Sequence, residues 1–433
     1  MQSSWAGRCS QCGEWNTLQE EAVLVTSAGK TSSGRSLQGS TVKSSVAHDQ
    51  ARISTGIADV DSVLGGGIVP GSVTLIAGQP GIGKSTLLLQ LAYAAAAKVP
   101  VLYVSGEESA HQVGLRAERL GTQREQLQLA TSTSADDVAA TITNGNAKLL
   151  IVDSIQTMTT DAVASAAGSV SQITNSTNMI TAAAKQNDTA VLLVGHVTKE
   201  GMIAGPKVME HMVDVVLQLE GDQYGGFKIL RASKNRYGAT TEAAIFEMDD
   251  KGLKIVENPS ATLLAERQIT DGSVVLATLE GTRPLLVEVQ ALVNKTSYGY
   301  PKRAASGLEL NRLNLLVAML ERRTKLNLSD QDIYINIVGG MRVNEPAADL
   351  AICLAIGSAA KGMKLNDNAV VFGEVGLSGE VRHVPHMDKR IAEAKKLGYT
   401  MAIGPKVRQG KAIAGLKSVS TIREALNSFL EKE

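Results

Sequence analysis

Residues Gly78-Gln79-Pro80-Gly81-Ile82-Gly83-Lys84-Ser85 fit the pattern G-x-x-x-x-G-K-[ST] at every fixed position. No other stretch narrows the fold so far, because the pattern has meaning only between a strand and a helix. Both flanks comply. The apolar run Val73-Thr74-Leu75-Ile76-Ala77 leads in, and the helical run Thr86-Leu87-Leu88-Leu89-Gln90-Leu91-Ala92 leads out. Glycines let successive backbone N–H groups point at phosphate oxygens, and the following helix N-terminus adds positive potential. The expected cradle is Gly78, Gln79, Pro80, Gly81, Ile82, Gly83, Lys84, Ser85 and Thr86. Lys84 would reach the outer phosphates and Ser85 would hold Mg²⁺. The competing reading, a fortuitous Gly-rich turn, does not account for strand, Lys and Ser all standing in place.

A chain of 433 residues is too long for one core, so two or three domains are expected. Its 44% hydrophobic content is that of an ordinary globular protein. Lys plus Arg and Asp plus Glu both number 43, so any polyanion site must be a local patch rather than a global basic excess. Four Phe and two Trp leave little for broad base-stacking platforms. Three cysteines cannot build a disulfide framework, which fits a reducing cytosol. No basic-then-apolar leader opens the chain, and no apolar run of about 20 residues is present to span a membrane.

Four regions are expected. Residues 1–22 carry Cys9-Ser10-Gln11-Cys12-Gly13 between Trp5 and Trp15. Residues 23–50, rich in Ser, Thr and Gly, read as a flexible linker. Residues 51–256 alternate apolar strands with helical patterns, the mark of a parallel α/β sheet. Residues 265–433 read as a second α/β unit. In the core the expected strands are 73–77, 100–104, 148–152, 190–194 and 213–219, followed by a hairpin-like pair at 226–232 and 243–248.

Lys148-Leu149-Leu150-Ile151-Val152-Asp153 is an apolar strand ending in an acid. That places Asp153 beside the phosphate loop, where it can order Mg²⁺ through Ser85 or a water; a helix N-cap is the competing role. Val101-Leu102-Tyr103-Val104-Ser105-Gly106-Glu107-Glu108-Ser109 ends a second strand with two carboxylates. One is placed to orient water for attack on the γ-phosphate. Glu107 is the choice, with Glu108 in reserve; a solvated first-turn pair is the alternative. His196, after a fourth strand, could sense the γ-phosphate and signal to the loop 198–210, which carries Lys199 and Lys207. A plain hydrogen-bonded turn residue fits His196 equally. Lys234-Asn235-Arg236-Tyr237-Gly238 reads as a compact cationic turn at the far end of the core. It suits a finger reaching a neighbour's nucleotide, contact with a nucleic-acid backbone, or a plain exposed hairpin loop.

Thr55-Gly56-Ile57-Ala58-Asp59-Val60-Asp61, Leu64-Gly65-Gly66-Gly67-Ile68 and the phosphate loop resemble the core of RecA-like recombination ATPases. The stretches 103–109, Gly195-His196-Val197-Thr198-Lys199 and 234–238 narrow the resemblance to the bacterial RadA/Sms family, over nearly the whole chain. The Lys-Asn-Arg-Tyr-Gly block is the most specific element, with Tyr237 where the family usually has Phe. The resemblance implies an α/β fold: a RecA-like P-loop core with a mainly parallel sheet, plus an α+β C-terminal domain like that of Lon protease. It implies ATP and Mg²⁺ as cofactors. The implied activity is a DNA-dependent ATPase of recombinational repair, driving branch migration as a homohexameric ring. Single-stranded and branched DNA and a RecA-type recombinase are the implied partners. The implied location is cytoplasmic, with the nucleoid when bound to DNA. An ATP-driven ring assembly without motor activity is the alternative.

Residues 335–405 are similar to the Lon protease domain. Val343-Asn344-Glu345-Pro346-Ala347-Ala348-Asp349 corresponds to its nucleophile-bearing turn, with Ala347 at the position of the catalytic Ser. Gly373-Glu374-Val375-Gly376-Leu377-Ser378-Gly379-Glu380-Val381 resembles the strand pair before the catalytic Lys, whose position Asp388 occupies. A Ser–Lys dyad needs a hydroxyl and an amine, so no peptidase activity is expected and the domain reads as an assembly and DNA-binding scaffold. Lys302, Arg303, Arg312, Arg322, Arg323 and Lys325 form a second candidate DNA surface, or a solvated helix face. Cys353 is expected to be a buried small hydrophobe. The family opens with a four-cysteine zinc module of two C-x-x-C pairs; only Cys9 and Cys12 stand here. A structural zinc site takes four ligands, so one chain supplies half a set. Either the chain starts late or half the module is lost.

Overall fold

The computed structural model describes residues 22–25, 31–34, 51–196, 208–221, 226–297, 299–407 and 413–431. Cys9, Cys12, Lys199 and Lys207 lie outside them. Two compact units are present, 1–51 and 52–433. In the first, β1 (Ala22–Val25) pairs antiparallel with β2 (Thr31–Gly34), so a short hairpin stands within the stretch read as linker.

The second unit holds two large sheets. Its chain order begins α1 (Ala58–Val63), β3 (Val73–Gly78), α2 (Lys84–Ala95), β4 (Val101–Ser105), α3 (Ala110–Arg119), β5 (Leu127–Thr131), α4 (Ala135–Asn144) and β6 (Leu149–Asp153). It continues with α5 (Val170–Gln186), β7 (Ala190–His196), α6 (Val208–Met212), β8 (Val215–Gly221), β9 (Lys228–Asn235), β10 (Ala243–Asp249) and β11 (Gly252–Ile255). These strands form one nine-stranded sheet, ordered β11-β10-β9-β8-β3-β7-β6-β4-β5. From β8 to β5 neighbours run parallel; β9, β10 and β11 add on antiparallel. The central strands are apolar runs because helices cover both faces. Helices α1, α2 and α3 pack on one side, and α4, α5 and α6 on the other. This is the RecA-like α/β core.

The expected strands lie within two residues of β3, β4, β6, β7 and β8, while β5 and β11 were not expected. Edge strand β5 presents mostly exposed residues and so carries no apolar run, and β11 has only four residues.

Helix α7 (Pro259–Leu264) joins the sheets, with the Asn258 side chain capping its N-terminus and Pro259 at its first position. Then follow β12 (Ser273–Glu280), β13 (Arg283–Lys295), β14 (Arg303–Ser306), α8 (Leu310–Arg323), β15 (Gln331–Ile337), α9 (Asp349–Lys361), β16 (Lys364–Leu365), β17 (Ala369–Val371), β18 (Glu374–Val375) and β19 (Val381–Arg382). The chain closes with α10 (Met387–Lys396), β20 (Met401–Pro405), β21 (Leu416–Val419), α11 (Ile422–Ser428) and β22 (Leu430–Glu431). Seven strands make a mixed sheet, β14-β15-β13-β12-β17-β20-β21, with α8, α9 and α11 on one face and α10 on the other.

One apolar cluster runs from Phe227, just before β9, and Ile229 and Ile245 of the first sheet into Leu285, Val287 and Leu350 of the second part. Polar contacts reinforce it: Arg231 pairs with Glu280 at 2.9 Å and Arg283 with Asp59 at 2.9 Å. Gly281 has φ +64°, and a Cβ there would stand 1.9 Å from the Thr241 carbonyl oxygen. Only glycine permits that approach. Among the described residues no helix is long and apolar enough to cross a membrane.

Candidate nucleotide site

The parallel order brings the carboxyl ends of β3, β6, β7 and β4 side by side, where open α/β sheets place ligands. Gly78 ends β3, the loop follows, and α2 starts at Lys84. Gly83 has φ +112°, and no side chain caps the first turn of α2, so its N–H groups remain available to an anion. A Cβ built on Gly81 would meet nothing within 4 Å, so the outer face of the loop is open.

Lys84 is 4% exposed. Its Nζ donates to the carbonyl oxygens of Gly78 at 2.8 Å and Gln79 at 3.0 Å, folding the ammonium back over the loop. Burial lowers its pKa to about 8, against the opposing charges of Asp153 and Glu107. Ser85 and Thr86 are half-buried in the first turn of α2. An uncapped helix start, an open glycine loop and an ammonium resting on weak neutral acceptors fit a polyphosphate.

Asp153 ends β6, and the Asp153–Ser154 peptide bond is cis. The Tyr103 hydroxyl donates to Asp153 Oδ2 at 2.5 Å. Glu107 Oε1 accepts a hydrogen bond from Ser154 Oγ and stands 3.2 Å from His196 Nε2. A carboxylate only accepts, so that contact is a hydrogen bond when Nε2 carries the proton. Burial pushes the Glu107 carboxyl up, but the bonds from Ser154 and His196 and the charges of His196 and Lys84 outweigh it and hold the pKa below the usual value. Glu108 faces elsewhere. Its Oε1 pairs with Arg116 Nη2 at 2.5 Å, while its backbone N–H and carbonyl both bond Ser105 Oγ. The local fold thus separates two adjacent carboxylates that sequence reasoning could not. Lys84, Asp153, Glu107 and His196 converge, and Ser154 and Tyr103, to which no role had been given, complete the cluster.

A family model described as "AAA domain" matches residues 39–202, and one described as "Subunit ChlI of Mg-chelatase" matches residues 314–408. The DNA repair protein RadA of Pseudomonas aeruginosa is 47% identical over 434 residues, covering 99% of this chain and 96% of that protein. Its counterpart in Halalkalibacterium halodurans is 45% identical over 438 residues, with the same coverage of 99% and 96%. The Escherichia coli protein is 44% identical over 442 residues, covering 98% and 95%.

The chain belongs to the RadA family.

The structure is also similar to that of a RadB recombinase, with 23% identity, a TM-score of 0.39 and coverage of 47% of this chain and 100% of that one.

Residues 234–238 of this RadA-family chain lie away from its own phosphate loop. Asn235 on β9 pairs with Val215 at the start of β8, whereas the phosphate loop leaves the other end of the parallel strands. The antiparallel reversal therefore carries residues 234–238 to the opposite end of the sheet. Lys234 and Asn235 are strand residues rather than part of a turn. Lys234 Nζ donates to the carbonyls of Glu210 at 2.6 Å and Val213 at 2.7 Å, and Arg236 pairs with buried Asp214 at 3.0 Å. Asn235 Nδ2 bonds the Val63 carbonyl, Arg52 bonds the Tyr237 carbonyl, and Gly238 packs against Gly65.

In the C-terminal part, Arg312 makes a bidentate pair with Asp349, and Arg323 Nε donates to the Leu377 carbonyl at 3.1 Å. The row of cations expected from 302 to 325 is therefore partly engaged within the chain. Ala347 is 3% exposed among Val370, Phe372 and Met387, while Asp388 is exposed in the first turn of α10. Fully buried Arg390 forks onto Glu345 at 2.8 and 2.7 Å and donates to the Ala277 carbonyl at 2.7 Å. Sequence reasoning missed this pair; its signal is that Arg390 shares the apolar face of Met387, Ile391 and Ala394. Cys353 is buried in α9. Among the described residues no group of three or more His, Cys, Asp or Glu could hold a metal ion.

Proposed function

We propose that the chain is a DNA-dependent ATP hydrolase of recombinational DNA repair, promoting branch migration as a homohexameric ring. The observation that carries the hydrolase reading is Glu107, held ionised between Ser154 and His196 beside Lys84 and Asp153. The names of the relatives support the repair role.

In this reading residues 78–86 cradle the phosphates of ATP and Lys84 leaves the Gly78 and Gln79 carbonyls for phosphate oxygens. Ser85 and Asp153 would hold Mg²⁺, which when bound would supply charge neutralisation at the phosphates. Glu107 orients the attacking water and accepts its proton. His196 senses the γ-phosphate through its bond to Glu107 and sits at the head of the segment carrying Lys199.

The 234–238 stretch serves a neighbouring subunit. Its placement opposite its own phosphate loop and the half-exposed Arg236 side chain support a role in trans. Partners in this account are single-stranded and branched DNA and a RecA-type recombinase. The C-terminal part acts as an assembly and DNA-binding scaffold without peptidase activity, since Ala347 and Asp388 supply neither hydroxyl nor amine.

The test is branch migration on a synthetic three-strand intermediate with ATP. Wild type should extend the heteroduplex and Glu107→Gln should not. A wild-type protein that assembles with ATP yet moves no junction would favour ring assembly alone.

A further inference from the structure

Tyr103 is 1% exposed on β4, packed in the cluster beneath α2. Packing alone would be served by phenylalanine, and a buried hydroxyl costs free energy unless it finds a partner. The partner here is specific. In the sheet register Tyr103 lies opposite Ile151 and Ser105 opposite Asp153. Tyr103 and Asp153 therefore project from the same face of neighbouring strands at diagonal positions. The phenol reaches Oδ2 at 2.5 Å, and Oδ1 makes no hydrogen bond among the described residues.

The terminal torsion of an aspartate is broad, so an unsupported carboxylate at a strand end samples many orientations. A short bond from a rigid, buried ring removes that freedom at one oxygen and leaves the other to serve a ligand.

We propose that Tyr103 is a positioning residue for the magnesium–nucleotide complex, its hydroxyl fixing the orientation of the Asp153 carboxylate. This rests on the reading of Asp153 as a magnesium residue. Groups that orient metal-site carboxylates typically contribute tenfold to a hundredfold in metal affinity.

The experiment is a Mg²⁺ titration of the binding of a fluorescent non-hydrolysable ATP analogue to the full chain. Tyr103→Phe should bind the analogue in EDTA as wild type does, yet need about tenfold more Mg²⁺ to reach half its Mg²⁺-dependent gain. Asp153→Asn should shift the Mg²⁺ midpoint at least as far, and adding Tyr103→Phe to it should change nothing more. A 4-aminophenylalanine at position 103, which keeps a donor, should restore the wild-type midpoint. If the Phe variant does not fold, 4-fluorophenylalanine fills the same space without donating and carries the same test. An unshifted midpoint in a folded non-donor variant overturns the role of Tyr103 alone. An unshifted midpoint in Asp153→Asn overturns the magnesium reading itself.

Discussion

Glu107 Oε1 and His196 Nε2 meet at 3.2 Å although β4 and β7, the strands that deliver them, are separated by β6. Ser154, from the end of that intervening β6, donates to the same carboxylate oxygen. Three strand ends thus close on one acid. The carboxylate proposed to orient water is tied to the strand that leads into the 197–207 segment.

This geometry predicts unequal effects for the two adjacent glutamates. Glu107→Gln should lower the ATP hydrolysis rate by about 10²–10⁴-fold, the usual contribution of a general base, while nucleotide affinity changes little. Glu108→Gln should cost far less, because Glu108 is occupied with Arg116. Steady-state hydrolysis and analogue binding on both variants check this. Equal losses would show that the geometry does not choose between them.

Lys84 makes nucleotide binding depend on pH. Its pKa is lowered to about 8 by burial, and phosphate requires the charged ammonium. Affinity should therefore be flat below pH 8 and fall by up to about tenfold per unit above it, with proton uptake on binding. In the nucleotide-free protein the sign is opposite. The buried charge is a cost below pH 8 that is relieved as pH rises from about 8 towards the ordinary 10.5. Calorimetry in buffers of different ionisation heat measures the proton uptake directly.

Arg390 and Glu345 predict a stability effect unconnected with hydrolysis. Arg390→Ala leaves Glu345 without its guanidinium and should destabilise the chain by about 3–5 kcal/mol, read from chemical denaturation. Burial works to raise the Glu345 pKa, but Arg390, Thr278 and the Leu279 N–H hold it below the ordinary value. Its contribution is therefore present above the normal glutamate range and lost as pH falls through the lowered value. Acid unfolding of wild type should be steeper than that of Arg390→Met.

Arg236→Ala should leave nucleotide affinity unchanged at protein concentrations too low for assembly, since 234–238 lies away from its own phosphate loop. Hydrolysis by the assembled protein should drop by about 10³-fold or more if Arg236 acts on a neighbour's nucleotide. Mixing the variant with Lys84→Ala, which keeps Arg236, should recover part of the activity.

Much of this was legible in the chain. The phosphate loop, the strand into Asp153 and the paired glutamates announce themselves because buried parallel strands are apolar runs whose first polar residues mark their ends. Strand β5 was not legible, since an exposed edge has no apolar run to detect. Which of Glu107 and Glu108 faces the site depends on Ser154, His196 and Arg116, all distant or helical neighbours that periodicity cannot place. Spacing placed residues 234–238 at the far end of the core but as a turn; that β9 extends through Asn235 was not legible. Tyr103 read as one more apolar strand residue; only the register with β6 reveals its diagonal partner.

The central claim is that hydrolysis at Lys84 and Glu107 is coupled to DNA. The most direct measurement is the ATP hydrolysis rate of wild type and Lys84→Ala with and without single-stranded DNA. The account predicts a basal rate that single-stranded DNA raises severalfold in wild type and no hydrolysis in Lys84→Ala under either condition. A wild-type rate indifferent to DNA, or a Lys84→Ala protein that keeps its DNA-stimulated rate, would contradict it.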